Sequence, residues 1–203
     1  GGGMKEAKNI NQLNNFIEGW YINPKVCDNL ITYFENSPDK EKGGTINSKT
    51  NKIEYAPGKV STDLGIYHEH NKNSKAVREY CDELFKVLEK YKEKYKYCHL
   101  NQEAWNIAEP FNIQKYNPHE GFLNFHCERN TGHGQGSLRH LVFMTYLNDL
   151  KKGGETEFFY QKLKVKPEKG LTLIWGSDWT FTHKGITSPK EVKYITTGWF
   201  NYI

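Results

Sequence analysis

With 203 residues, 36% of them hydrophobic and 14% aromatic, the chain is long enough to bury a sizeable core, and no linker divides it. Its net charge of +4 is dispersed, with lysines beside glutamates in 84-LFKVLEKYKEKYKY-97 as on a solvated helix face, which disfavours a nucleic-acid surface. No apolar run reaches the roughly 18 residues of a membrane span, and the four scattered cysteines, Cys27, Cys81, Cys98 and Cys127, contain no C-x-x-C and no disulfide framework.

Gly1-Gly2-Gly3 ahead of Met4 reads as a cloning remnant. The polar Lys5-Glu6-Ala7-Lys8-Asn9 that follows has no signal-peptide core, so a soluble, cytoplasmic protein is expected, with residues 4–203 as one domain. Asn23-Pro24 starts a helix by side-chain capping and a proline in the first turn, and Val26, Leu30, Ile31 and Phe34 carry it to about residue 36. Residues 37–73, rich in Gly, Asn, Lys and Ser, predict long loops and a weak strand near 52–56. Ser74 caps a second helix whose stripe of Val77, Tyr80, Cys81, Leu84, Phe85, Leu88 and Tyr91 runs to about residue 95.

From residue 104 the period becomes that of strands, predicted near 105–109, 111–117, 122–127, 138–147, 155–160, 163–166, 171–175 and 192–202, with turns at 117–121, 152–154 and 167–170. The count fits a mainly β protein with flanking helices (α+β), a double-stranded β-helix or jelly roll. Its catalytic core would be 104–203, and its support 4–103, with helices packed outside the sheet.

A strand aims residues i and i+2 at one face, so His126 and Glu128 can converge on one point. Two imidazoles and one carboxylate leave positions open on an octahedral Fe(II), and His183 is the candidate third ligand. In the last strand, Lys193, Ile195, Thr197 and Trp199 share a face, and a lysine looking into a cavity is costly unless an anion meets it. His119, His133 and His140 are expected in loops or on the surface, and His68-Glu69-His70 in a polar loop. The glycine-rich 130-NTGHGQGS-137 is expected to be a hairpin connection at the cavity mouth.

Four ordered blocks, 114-QKYNPHEGFLNFHCE-128, 139-RHLVFMTYLNDLKKGGETEFF-159, 167-PEKGLTLIW-175 and 183-HKGITSPKEVKYITTGWF-200, resemble the prolyl 4-hydroxylase branch of the Fe(II)- and 2-oxoglutarate-dependent oxygenases. The resemblance implies that His126, Glu128 and His183 hold iron. It implies that Lys193 pairs with the distal carboxylate of 2-oxoglutarate, helped by Tyr146, with Tyr116 near the other end of the cosubstrate. Arg139 and Trp199 match substrate-side positions. Fe(II), 2-oxoglutarate and dioxygen are the implied cofactor and cosubstrates, with ascorbate as an optional accessory. The implied reaction is hydroxylation of an unactivated C–H on a peptide or protein.

Two departures mark the chain. Glu128 stands where the family has Asp, and Leu123 where many peptide prolyl hydroxylases have a tyrosine. Hydroxylation of a free amino acid or other small molecule, with 37–73 as a lid, and a noncatalytic binding module therefore stay open beside the peptide reading. The retained carboxylate argues against halogenation. No arginine follows Arg139, which argues against nucleic-acid demethylation.

Overall fold

The structure is a computed structural model describing residues 14–47, 50, 52–54 and 58–203. The remnant expected at 1–3 lies outside the described residues. In the first half the chain runs β1 (Glu18–Tyr21), α1 (Pro24–Asn36), β2 (Glu41–Lys42), β3 (Thr45–Asn47), β4 (Lys52–Glu54), β5 (Thr62–Ile66), α2 (His68–Asn73) and α3 (Lys75–Lys94). The strands of the second half are β6 (Trp105–Asn106), β7 (Phe111–Tyr116), β8 (Phe122–His126), β9 (Arg139–Tyr146), β10 (Thr156–Phe158), β11 (Leu163–Val165), β12 (Leu171–Gly176), β13 (His183–Gly185) and β14 (Lys193–Tyr202).

Both long helices begin where their caps require. Asn23 Oδ1 accepts from the Lys25 amide at 2.9 Å, and Ser74 Oγ accepts from Val77 at 3.3 Å, each satisfying a donor that the first turn leaves unpaired. The apolar stripes of α1 (Val26, Cys27, Leu30, Phe34) and α3 (Val77, Tyr80, Leu84, Leu88, Tyr91) lie against one face of a sheet. Phe85, counted in the predicted stripe, is instead 38% exposed, because it falls on the edge of the helix turned from the sheet. The Tyr80 hydroxyl is held by Thr145 Oγ1 at 2.9 Å and Thr196 Oγ1 at 2.5 Å, so a polar tip reaches the core fully satisfied.

The major sheet has the order β1-β12-β9-β14-β7-β5-β2, with β6 pairing the end of β14, and the minor sheet the order β11-β10-β13-β8. Every pairing is antiparallel. A second core of Tyr116, Val142, Met144, Tyr146, Phe158 and Trp175 fills the space between the sheets. This is the expected jelly roll with helices outside, but the sheet does not begin at residue 104. β1 pairs with β12, and β5 with β7, so two segments of the supposed support belong to the core sheet. Thr62-Asp63-Leu64-Gly65-Ile66 is too polar to read as a strand, and pairing with β7 supplies what its propensity lacks. His68–Asn73, predicted as loop, is a short helix, and the weak strand expected near 52–56 is found at Lys52–Glu54. Residues 55–57 lie outside the described residues. The 127–138 connection crosses from the minor to the major sheet and is not a hairpin.

Candidate metal centre

His126 and His183, far apart in sequence, are directly opposite one another where β8 pairs with β13. Glu128 lies just past the end of β8, beyond the strand predicted at 122–127 as well, and its carboxylate is within reach of both rings. Glu128 Oε2 is 3.5 Å from His126 Nε2 and 3.9 Å from His183 Nε2, and the three ligand atoms lie within 4.8 Å of one another. Each imidazole is oriented from behind. His126 Nδ1 lies 2.8 Å from the Asn124 carbonyl and His183 Nδ1 2.8 Å from the Phe181 carbonyl, so each Nδ1 donates to a carbonyl and each Nε2 is the nitrogen left to face Glu128.

The electrostatics suit a metal cation. Burial, reinforced by the neighbouring His126, lowers the His183 pKa to about 4 against the opposing pull of Glu128, so this ring is neutral at physiological pH. Burial alone would raise the Glu128 carboxyl, but the nearby His126, His183 and Arg139, with a Trp199 hydrogen bond, hold it below the ordinary value. A carboxylate and two imidazoles are the donor set that Fe(II) takes, so these residues fit the ion.

Arg139 and Trp199 stand behind Glu128. Trp199 Nε1 donates to Glu128 Oε1 at 3.2 Å, leaving Oε2 facing the histidines. Arg139 lies 3.7 Å over the Trp199 ring, donates to the Glu128 carbonyl at 2.9 Å, and is gripped by Glu109 through bonds of 2.9 and 2.8 Å. The longer arm of glutamate is thus fixed at its outer oxygen.

Lys193 lies across the same cavity of about 880 Å³. It is 5% exposed, and among the described residues its ammonium makes no hydrogen bond or ion pair; the Tyr116 and Tyr146 rings lie 5.4 and 5.8 Å away. Burial lowers its pKa to about 8, partly offset by Glu155. The turn beside it requires glycine: Gly153 and Gly154 have φ of +79° and +75°, and a Cβ on Gly153 would meet the Thr187 carbonyl at 2.6 Å.

The tyrosines divide. Tyr116 lines the cavity and donates its hydroxyl to Gln114 Oε1 at 2.8 Å. The Tyr146 hydroxyl is bonded to Thr156 Oγ1 at 2.5 Å and to the Val165 carbonyl at 3.2 Å, and it is Thr156 that reaches the cavity wall. The structure therefore brings the Tyr146 ring, but not its hydroxyl, toward Lys193.

Residues 111–201 match the sequence profile of the 2OG-Fe(II) oxygenase superfamily. The chain matches that profile over less than half of its length. Among curated oxygenase relatives it is similar to probable prolyl 4-hydroxylase 9 of Arabidopsis thaliana, 32% identical over 120 residues, which are 48% of this chain and 40% of that one. Probable prolyl 4-hydroxylase 3 of the same plant is 25% identical over 213 aligned positions, 92% of this chain and 68% of that one. The chain thus spans less than half the length of the first.

Solved oxygenases share its fold. The viral collagen prolyl hydroxylase of Paramecium bursaria Chlorella virus-1, in its 2OG complex, superposes with a TM-score of 0.65 at 18% identity, covering 93% of this chain and 97% of that one. A prolyl hydroxylase from Trichoplax adhaerens, in complex with a hypoxia inducible factor peptide fragment, gives 0.69 at 13% identity, covering 93% and 84%.

The sequence reading missed Lys59 and Asp63. Buried Lys59 contacts Asp63 Oδ2 at 3.0 Å and the Gly44 carbonyl at 3.2 Å, while Asp63 accepts from Ser61 Oγ at 2.7 Å. Gln114 Nε2 reaches Asp63 at 3.4 Å, so a polar chain runs from β5 to Tyr116. The period-two spacing of 59, 61 and 63 was the available signal. His119 and His133 are exposed, as expected. His140 is not a loop residue: it sits in β9, half-buried between Trp105 and Tyr202, with Nε2 2.7 Å from the Cys98 carbonyl. His70, in α2, accepts the Tyr67 amide at 3.0 Å through Nδ1.

Proposed function

We propose that this chain is an Fe(II)- and 2-oxoglutarate-dependent dioxygenase that hydroxylates an unactivated C–H, with prolyl residues of a peptide or protein as its substrate class. The observation that carries the reading is the pairing, in one cavity, of a converged His126–Glu128–His183 set with a buried Lys193 that has no hydrogen-bond or ion-pair partner among the described residues. The first is a cation site and the second an anion site, as a cosubstrate that is both chelator and dicarboxylate requires. The names of the similar proteins support proline as the target.

His126, Glu128 and His183 would hold the iron, which supplies the redox chemistry coupling 2-oxoglutarate and O₂ to succinate, CO₂ and a hydroxylated product. The backbone carbonyls of Asn124 and Phe181 keep both imidazoles in the ligating tautomer. Trp199 and Arg139 orient Glu128. Lys193 takes the distal carboxylate in a charge-assisted contact, with the Tyr116 ring beside it. Met144, Trp175 and Ile195 give the cavity apolar walls that limit water.

The cytoplasm is the proposed location, since all four cysteines are free and no described helix is long and apolar enough to cross a membrane. Residues 4–203 are proposed as one unit, because β1 and β5 pair with strands of the second half. Succinate formation tests the activity. Stimulation by proline-containing peptides and not by free amino acids is expected; the reverse would move the assignment to a small-molecule hydroxylase, and no succinate under any condition would leave a binding module.

A further inference from the structure

The outer face of the minor sheet carries aromatic side chains that the cavity does not use. Phe125 in β8, Phe159 just past β10, Tyr160 and Trp179 are 38%, 52%, 58% and 65% exposed. Each ring touches the next, at centroid distances of 5.1, 5.0 and 5.8 Å and interplanar angles of 79°, 81° and 82°. A contiguous exposed apolar track of this kind marks a recognition surface. One residue links it to the cavity. Lys184 is among the cavity-lining residues and holds its ammonium 4.6 Å over the Phe125 ring, while Phe125, next to His126 in β8, faces the other side of that strand.

We propose that this ridge is an exosite for a polypeptide in the polyproline II conformation, the stretch of a proline-rich substrate that flanks the residue inserted in the cavity. The proposal rests on the hydroxylase reading above. A polyproline II chain has no internal hydrogen bonds, so its carbonyls need donors, and its pyrrolidine rings pack on aromatic faces. The ridge offers both. Among the described residues, neither the Tyr160 hydroxyl nor the Trp179 indole N–H has a hydrogen-bond partner, and each stands beside an exposed ring. The three ring-to-ring steps match about four to five residues of polyproline II at about 3.1 Å each. A charged row beside the ridge, in which Glu157 is cross-strand from both Lys164 and Lys184, confines the apolar track to a narrow strip. That shape fits one extended chain better than a flat self-association surface, which needs about 800 Å² per partner.

The test compares the 203-residue chain with Tyr160→Ala/Trp179→Ala and Tyr160→Phe/Trp179→Phe double variants, whose altered side chains are exposed, with thermal melts to check folding. Calorimetric titration with poly-L-proline of about ten residues, and with a glycine-serine peptide of equal length, needs neither iron nor 2-oxoglutarate. Wild type should bind poly-L-proline and not the glycine-serine peptide. The alanine variant should bind at least about tenfold more weakly, with the phenylalanine variant in between. In turnover, KM for a long proline-rich substrate should rise by a similar factor in the alanine variant, while kcat and the constants for a proline tripeptide stay put. Equal poly-L-proline binding by wild type and the alanine variant, no binding by wild type, or a ridge whose only effect is on sedimentation as a dimer would overturn the exosite. Ridge-dependent binding without succinate from any peptide would retire the hydroxylase reading and leave the exosite standing.

Discussion

On the helix side of β14, Thr196 and Phe200 are fully buried, and the polar groups of Tyr194 and Thr196 are matched: the Thr196 hydroxyl meets Tyr80 and the Tyr194 hydroxyl meets Glu35. On the cavity side of the same strand, Lys193 is almost as buried and pairs with nothing among the described residues. Alternation along a single strand thus separates two uses of burial. One face removes apolar surface from water and stabilises the fold. The other keeps a charge desolvated at a cost to stability, as a binding site does when the compensating group is a ligand.

Substitutions on the two faces should therefore separate function from stability. The largest effect is expected at the metal centre. His183→Ala should lower iron affinity by more than the roughly 100-fold that loss of an outer-shell partner costs, measured by anaerobic Fe(II) titration, while urea unfolding without metal changes little. Iron affinity equal to wild type would exclude His183 as a ligand. On the helix side, Leu84→Ala should destabilise by about 2–5 kcal/mol in urea unfolding, with unchanged 2-oxoglutarate affinity for the folded fraction. A large loss of that affinity would mean that the faces are coupled.

Lys193 should show the opposite pattern. Lys193→Met should weaken 2-oxoglutarate binding by about 10- to 150-fold, the equivalent of about 1.5–3 kcal/mol, and yet melt higher at neutral pH without ligand. The sign follows from linkage. The folded-state pKa of about 8 lies below the unfolded value of 10.5, so the cost of the charged lysine is fully present below pH 8. Wild-type stability should then rise between about pH 8 and 10.5, and the rise should vanish in the methionine variant. A lower melting temperature for Lys193→Met would show that the ammonium stabilises the free protein.

The smallest expected effect is in pH dependence. A bound dicarboxylate raises the Lys193 pKa, so the affinity due to this contact is complete below pH 8 and declines above it, by up to about tenfold per pH unit. Calorimetric titration of 2-oxoglutarate at pH 7, 8 and 9 measures it. Affinity that stays flat across this range would mean another group holds the carboxylate.

How much of this was readable in the sequence depended on how local the cause was. Both long helices follow from caps within one turn of their starts, and their predicted bounds match the structure closely. The His126–Glu128 pair and the shared face of Lys193 and Trp199 follow from strand periodicity, although Glu128 itself lies past the strand. The polar strand β5, with its Lys59–Asp63 network, became visible only through pairing with β7, a contact that no local propensity encodes. The three-residue β13 was hidden for the same reason, since His183 is placed by its partner His126. Tyr146 shows the remaining gap: a motif position locates the ring, whereas Thr156 and the Val165 carbonyl decide where its hydroxyl goes.

The claim that one cavity takes iron and 2-oxoglutarate together is tested most directly by anaerobic absorption titration of the purified protein with Fe(II) and then 2-oxoglutarate. A weak visible charge-transfer band should grow and saturate, and it should need substantially more 2-oxoglutarate in Lys193→Ala, with iron affinity nearly unchanged. No band and no 2-oxoglutarate binding in the wild-type protein would contradict it.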